Sequence, residues 1–243
     1  MTHLVSATRS AICRRLLVLT AACISGFAAG TIVPAALAAA PGVGDVYVYR
    51  LFSGYTKESH GQWRYRVDRL EAGNLNFSVT PETAGAGSAR TEIYTSEGNG
   101  LRRLVESRGG QVEYEFAAPF PAYVFPLEPG KTWSLRVPAR AANEQRERSV
   151  RVDGKVLGTE RIRVPAGEFD TVKIRRLVWP GDGDDWYSET EIVEHEWYAP
   201  ALGRPVRIET TSTYFDWRRS RVFMWAWGDW SVLELVEARK AKP

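Results

Sequence analysis

Cysteine is nearly absent: the 243-residue chain has two, Cys13 and Cys23, both within the first 38 positions. Beyond them a disulfide framework, a thiolate nucleophile and a cysteine-based zinc site are all excluded. Histidine is almost as scarce. After position 38 only His60 and His195 remain, and nothing in their spacing brings them together with a carboxylate as a zinc site requires. An excess of charge is also lacking. Three of the 32 basic residues (Arg9, Arg14 and Arg15) fall in the opening stretch, and the other 29 balance 29 acidic residues. A nucleic-acid binder, which displays a basic excess, is not expected from such a balance. No Ser-His-Asp order, nucleophile elbow or glycine-rich phosphate loop is visible, and no cofactor or metal is implied. Nor does any second apolar run of membrane-spanning length follow the first 40 residues.

What the opening does contain is the succession of an export signal. A basic segment ends at Arg14-Arg15, an apolar segment begins at Leu16, and Ala36-Leu37-Ala38 supplies the small-x-small pattern that a signal peptidase accepts. Residues 1–38 therefore read as a signal peptide and 39–243 as a single periplasmic or secreted domain. An uncleaved anchor is weakened by Gly26, Gly30 and Pro34. Thr20-Ala21-Ala22-Cys23 is an imperfect lipoprotein box, because Thr20 stands where a branched apolar residue is usual. A twin-arginine signal would want Ser or Thr where Cys13 precedes the arginine pair.

The 205 or so residues that remain are punctuated by turn chemistry at Gly73-Asn74, Glu97 to Gly100, Gly109-Gly110, Asp153-Gly154, Pro180 to Gly183 and Pro200 to Gly203. Between these points the sequence alternates with period two and is rich in Val, Ile, Thr, Tyr and Trp, which predicts about eleven antiparallel strands. Asp153-Gly154 predicts a tight hairpin between flanking valines. Ala139 to Arg148 breaks the alternation and suits a short helix or charged connector. So many consecutive short strands predict an all-β meander, strongly curved and partly closed as a barrel, with a sandwich as the alternative. A bilayer-spanning barrel is disfavoured, because Arg and Glu recur on nearly every run.

Residues 129–209 carry three motifs in order. They are Pro129-Gly130-Lys131-Thr132-Trp133, then Val164-Pro165-Ala166-Gly167-Glu168-Phe169 running on to Lys173-Ile174, then Trp197-Tyr198-Ala199-Pro200 with Gly203 and Val206. The succession resembles exported bacterial proteins of the domain of unknown function 3108-like family (PGKxW, VPAGxFxxxKI, WYAPxxGxV). The resemblance implies a β-rich periplasmic or outer-membrane-associated protein and no particular chemistry. This sequence departs from it at Leu202 and Arg204-Pro205. Turn chemistry alone accounts for these residue types, since proline withdraws an N–H from a ladder and glycine permits the reversal.

The candidates for chemistry are few. Glu194 and Glu196 share one strand face about 6–7 Å apart, a spacing that glycoside hydrolysis tolerates. Glu189 with Glu191 and Glu113 with Glu115 repeat the pattern, so an ordinary solvated face explains all three. Asp182-Gly183-Asp184-Asp185 offers oxygen atoms to Ca²⁺ but lacks the closing Glu of a calcium loop. The abundance of arginine reads as compositional bias, because the arginines are spread along every strand and matched by acids. No catalytic residue is assigned. The unusual feature is aromatic: all nine tryptophans follow position 38, three of them within Phe223 to Trp230. In a strand Phe223, Trp225 and Trp227 share one face. They are expected either in a large aromatic core or along a groove that takes a lipid, peptide or sugar, with Trp197 and His195 on a neighbouring wall.

The function that follows is a non-enzymatic exported envelope protein, peripherally associated at most, which binds an apolar or amphipathic ligand or an envelope partner. A carboxylate-dependent hydrolase of envelope polysaccharide and a structural factor docking by a sheet edge are the alternatives. The leader generates the first prediction: N-terminal sequencing and intact mass of the exported chain should show it starting at Ala39 without lipid, and an acylated Cys23 terminus would refute it.

Overall fold

The computed structural model describes residues 40–83, 87–107, 110–142, 146–181, 187–216 and 225–241. The leader, Asp182-Gly183-Asp184-Asp185 and Phe223 lie outside these residues. Twelve strands follow one another: β1 (Val46–Ser53), β2 (Ser59–Glu71), β3 (Asn74–Pro81), β4 (Arg90–Thr95), β5 (Gly100–Ser107), β6 (Gly110–Phe120), β7 (Thr132–Ala141), β8 (Glu147–Val164), β9 (Gly167–Trp179), β10 (Tyr187–Ala199), β11 (Arg204–Asp216) and β12 (Trp225–Arg239). Each strand pairs antiparallel with its predecessor, and β12 returns to β1 over eight register positions from Val46 opposite Arg239 to Ser53 opposite Ser231. The sheet is thus a closed barrel, one strand richer than the alternation predicts and fully closed where partial closure is expected. Closure disfavours the edge-docking alternative, because β1 and β12, the first and last strands of the meander, are each paired on both sides.

Two local expectations also change. Asp153-Gly154 is not a turn but sits within β8, with Gly154 opposite Trp133 of β7. A Cβ at Gly154 would lie 2.0 Å from the Trp133 indole, so this glycine is a gap that receives an aromatic ring. Among the described residues of the break at 139–148 there is no helix. Ala139 and Ala141 are buried at the end of β7, and Glu147 and Arg148 already pair in β8. Small residues were needed there for close packing, and their helix propensity is overridden by the sheet. The turn expected at Gly73-Asn74 lies one residue earlier. Ala72 and Gly73, both at positive φ (50° and 80°), join β2 to β3 as a type I′ turn requires.

Apolar side chains fill the barrel in two clusters. One gathers Tyr114, Phe116, Phe120, Val152, Ile174 and Ile192 with their neighbours, and the other Tyr47, Tyr49, Trp63, Tyr65, Phe77 and Leu235 with theirs. The stretch between β6 and β7 belongs to the first cluster. Pro121, Pro126 and Pro129 deny it a ladder, yet Ala122 and Tyr123 are buried. An apolar segment that cannot pair as a strand has to fold inward, and this one packs into the barrel. Trp133 Nε1 donates to the Pro121 carbonyl at 2.9 Å, and Asn99 brackets Tyr123 by bonding both its N–H (2.8 Å) and its C=O (3.0 Å). The outer face, in contrast, is laced with ion pairs such as Arg64–Glu82, Arg151–Asp153, Lys173–Glu160 and Arg207–Glu209. That face is not the continuous apolar band of a barrel that meets lipid.

The Gly154–Trp133 contact is testable. Gly154→Ala should destabilise the barrel by about 1–3 kcal/mol through overpacking. In denaturant melts the cost should shrink when Trp133→Phe is combined with it; an unchanged midpoint for Gly154→Ala would contradict the packing described.

Candidate functional site

The inward face of β9 reads Val172, Ile174, Arg176, Val178, and that of β10 reads Ile192, Glu194, Glu196, Tyr198. In each an otherwise hydrophobic row is interrupted by charge. The register sets Arg176 directly opposite Glu194, with Glu196 one inward position along. Arg176, Glu194 and Glu196 are only 1%, 6% and 2% exposed. This corrects the expectation that the two glutamates occupy a solvated face. The outward positions belong instead to Val193, His195 and Trp197.

Every oxygen of the two carboxylates has a donor. Arg176 donates from Nε to Glu194 Oε2 at 2.7 Å and from Nη2 to Glu196 Oε2 at 2.5 Å. Arg103 of β5 reaches Glu194 Oε1 at 3.4 Å, and the Tyr123 hydroxyl donates to Glu196 Oε1. The third arm of Arg176 bonds the Ala122 carbonyl at 3.3 Å, which ties the inward loop to the charge cluster. Burial pushes Glu194 upward, but Arg176 and then Arg103 outweigh it and hold the carboxyl below its ordinary value of 4.5. Burial alone would lower Arg176, but Glu196 and Glu194 raise it. Tyr123 is raised well above 10, by burial first and then by Glu196, so it stays a neutral donor. A general acid needs a carboxyl raised toward neutrality; Glu194 is held the opposite way, with both oxygens engaged. This geometry disfavours the hydrolase reading.

Beside this cluster lies a cavity of about 120 Å³. Its wall takes Tyr49 and Leu51 from β1, Trp63 and Tyr65 from β2, Arg90, Glu92 and Tyr94 from β4, Arg103 from β5, and Ile208, Thr210 and Leu233 from β11 and β12. Arg90 pairs with Glu92 at 2.7 Å, donates to the Tyr65 hydroxyl at 3.1 Å and lies 4.6 Å over the Trp63 ring. Tyr94 donates to the other oxygen of Glu92. Arg204, at the start of β11, also lines the cavity. Its guanidinium sits among ring faces, 4.6 Å from Phe77, 5.2 Å from Tyr94, 5.5 Å from Tyr65 and 5.7 Å from Tyr47. Removing such a cation from water costs several kcal/mol, against which each ring face returns about 0.5–2 kcal/mol.

Three solved structures are similar to this chain at low identity. A candidate lipoprotein of Parabacteroides distasonis is 14% identical with a TM-score of 0.47, covering 82% of this chain and 97% of its own. A candidate exported protein with a YmcC-like fold from Bacteroides fragilis is 16% identical with a TM-score of 0.45, covering 84% and 100%. The hypothetical lipoprotein YmcC of Escherichia coli is 10% identical with a TM-score of 0.44, covering 81% and 85%. No family model and no curated protein matches the chain.

The residues expected to form an aromatic wall are placed differently. Trp197 alternates with the inward row yet is only 8% exposed and packs in the second apolar cluster, its indole donating to Glu160 under Lys173 (4.6 Å) and Arg207 (5.6 Å). His195 is a half-buried outward neighbour; burial first and then Lys173 hold it below 6.5, so it is neutral at pH 7. Trp227 is 79% exposed. Trp225 opens β12 opposite Phe215, and Phe223 lies outside the described residues. Trp197, His195 and Trp227 are therefore not brought together around the cavity. Among the described residues no group of three His, Cys, Asp or Glu side chains could hold a metal ion.

Arg176→Met should cost about 3–5 kcal/mol at pH 7, because it strands two buried carboxylates. The sign with pH is fixed by Glu194. Its pKa is lowered in the folded state, so it stabilises the parent above pH 4.5 and that contribution is lost as pH falls through the folded value. The gap between parent and Arg176→Met should accordingly narrow below pH 4.5 in urea melts, and a gap independent of pH would contradict this electrostatic account.

Proposed function

We propose that this chain is a non-enzymatic, exported envelope protein whose barrel interior holds a small amphipathic ligand. The observation that carries the reading is the cavity: a preformed space whose wall joins both apolar clusters to convergent guanidinium and hydroxyl groups. An interior built only for stability would fill that space, since close-packed apolar side chains are worth more than buried charge. The export-type leader and the family resemblance of residues 129–209 support placement outside the cytoplasm. The charged outer face supports a barrel surrounded by water.

Size limits the ligand. A cavity of about 150 Å³ holds benzene, so this one takes a group of similar bulk and not a whole lipid. Thermal unfolding with a small-molecule extract of the native envelope is the test. The parent should rise in melting temperature, and Leu233→Phe, which fills the cavity wall at a cost of about 1–3 kcal/mol, should keep its β-sheet circular dichroism and lose the rise. A rise of equal size in Leu233→Phe would move the site elsewhere, and no rise in the parent would remove the reading.

A further inference from the structure

The charge balance of the cavity wall names the class of ligand, an inference that rests on the reading of a binding site inside the barrel. Arg90, Arg103 and Arg204 line the space together with Glu92, Glu194 and Glu196, and Arg176 stands behind the last two. Four guanidinium groups thus face three carboxylates. Arg176 and Arg103 are engaged by Glu194 and Glu196, and Arg90 by Glu92. Arg204 alone of the four has no carboxylate within ion-pair distance among the described residues. It is 7% exposed, and its Nε is buried without a hydrogen-bond partner.

A second donor is in the same condition. Nη1 of Arg90 is buried and unpartnered, although the other side of that guanidinium is held by Glu92 and Tyr65. The two arginines flank one ring: Arg204 lies 5.5 Å and Arg90 5.9 Å from the centre of Tyr65. The surrounding phenols supply no negative charge. Burial, the largest influence on each, raises Tyr47, Tyr49, Tyr65 and Tyr94, so all four remain neutral. A buried polar group without a partner is expensive, and two such donors on arginines that line one cavity mark where a ligand acceptor belongs.

We propose that the cavity binds a small organic monoanion, its carboxylate lying between Arg204 Nε and Arg90 Nη1 and its apolar part against Trp63, Tyr65, Leu51 and Leu233. A planar carboxylate matches the guanidinium fork. One negative charge neutralises the excess of one; a dianion such as phosphate would add a surplus charge close to three glutamates. The apolar remainder has room for about one benzene-sized group.

The experiment uses the mature chain and isothermal titration with matched pairs: benzoate with benzamide, and hexanoate with hexanamide, alongside inorganic phosphate. At least one carboxylate should bind ten-fold or more tightly than its amide, and more tightly than phosphate. Arg204→Met, which keeps the length of the side chain and removes the charge, should abolish that preference while retaining a cooperative melt, and Arg204→Lys should restore part of it. A melting temperature for unliganded Arg204→Met at or above that of the parent is expected independently of any probe, because an unpaired buried charge has been removed. Equal binding of amide and carboxylate would overturn the anion and leave the site inside the barrel standing. Binding of no probe, or a preference that survives Arg204→Met, would overturn the proposal outright.

Discussion

The arrangement of the barrel interior depends on Arg176. A guanidinium opposite one glutamate and diagonal to a second makes it possible for β10 to turn two carboxylates inward, and its third bond, to Ala122, attaches the inward loop to the same point. Take the arginine away and Glu194 and Glu196 both lose the guanidinium that bonds them, and a buried carboxylate without a cation is unstable by several kcal/mol. The loop between β6 and β7 depends on the cluster from its own side, through Tyr123 and Glu196. Chain elements far apart in sequence are thereby held to one geometry. The neighbouring seam between β6 and β7 pairs at only three register positions, from Tyr114 to Phe116, so side-chain bonds compensate for a short ladder.

Charge inside and charge outside do different work in this barrel. The outer pairs are solvated, individually worth about 0–1 kcal/mol, and chiefly keep the outer surface polar. The inner groups have lost water, so their energies are large and of both signs. A fully apolar filling would be more stable, which makes the polar interior a constraint on geometry more than a source of stability. Fixed guanidinium and carboxylate positions also hold the wall of the cavity apart, because closing it would press like charges together or break existing bonds.

Much of the architecture is legible in the amino-acid order. Period-two alternation and turn residues specify an antiparallel meander, and Pro165 marks a hairpin where it occurs while the turn expected at Gly73-Asn74 lies one residue earlier. What alternation does not reveal is which face is inward once charged residues sit on both. The informative signal was compositional interruption: Arg176 breaks the row Val172, Ile174, Val178, and Glu194 with Glu196 breaks the row Ile192, Tyr198. Opposite charges interrupting two apolar rows in successive strands mark a buried pair, but that reading needs the register, which depends on the intervening turn. Gly154 misled for a related reason. Asp-Gly is a turn signal when the chain needs positive φ, and a packing gap when a cross-strand tryptophan needs room; only the partner strand distinguishes them. The aromatic-rich segment near Trp227 drew attention by abundance, whereas the cavity uses Trp63 and scattered tyrosines from three strands and the inward loop.

Arg204 completes the contrast with Arg176. Both are buried arginines on inward faces of adjacent parts of one barrel, yet one is saturated by acids and the other is surrounded by aromatic rings. Register explains the difference. Arg176 is paired in the middle of β9 with a strand that presents glutamates, while Arg204 begins β11 opposite Ala199, where the partner offers no acid. The ring faces of Phe77, Tyr94, Tyr65 and Tyr47 offset part of the lost hydration but supply no acceptor for Nε. The interior is therefore electrically complete around Arg176 and incomplete around Arg204, and the cavity lies between the two, lined by Glu194 and Glu196 on one side and by Arg204 on the other.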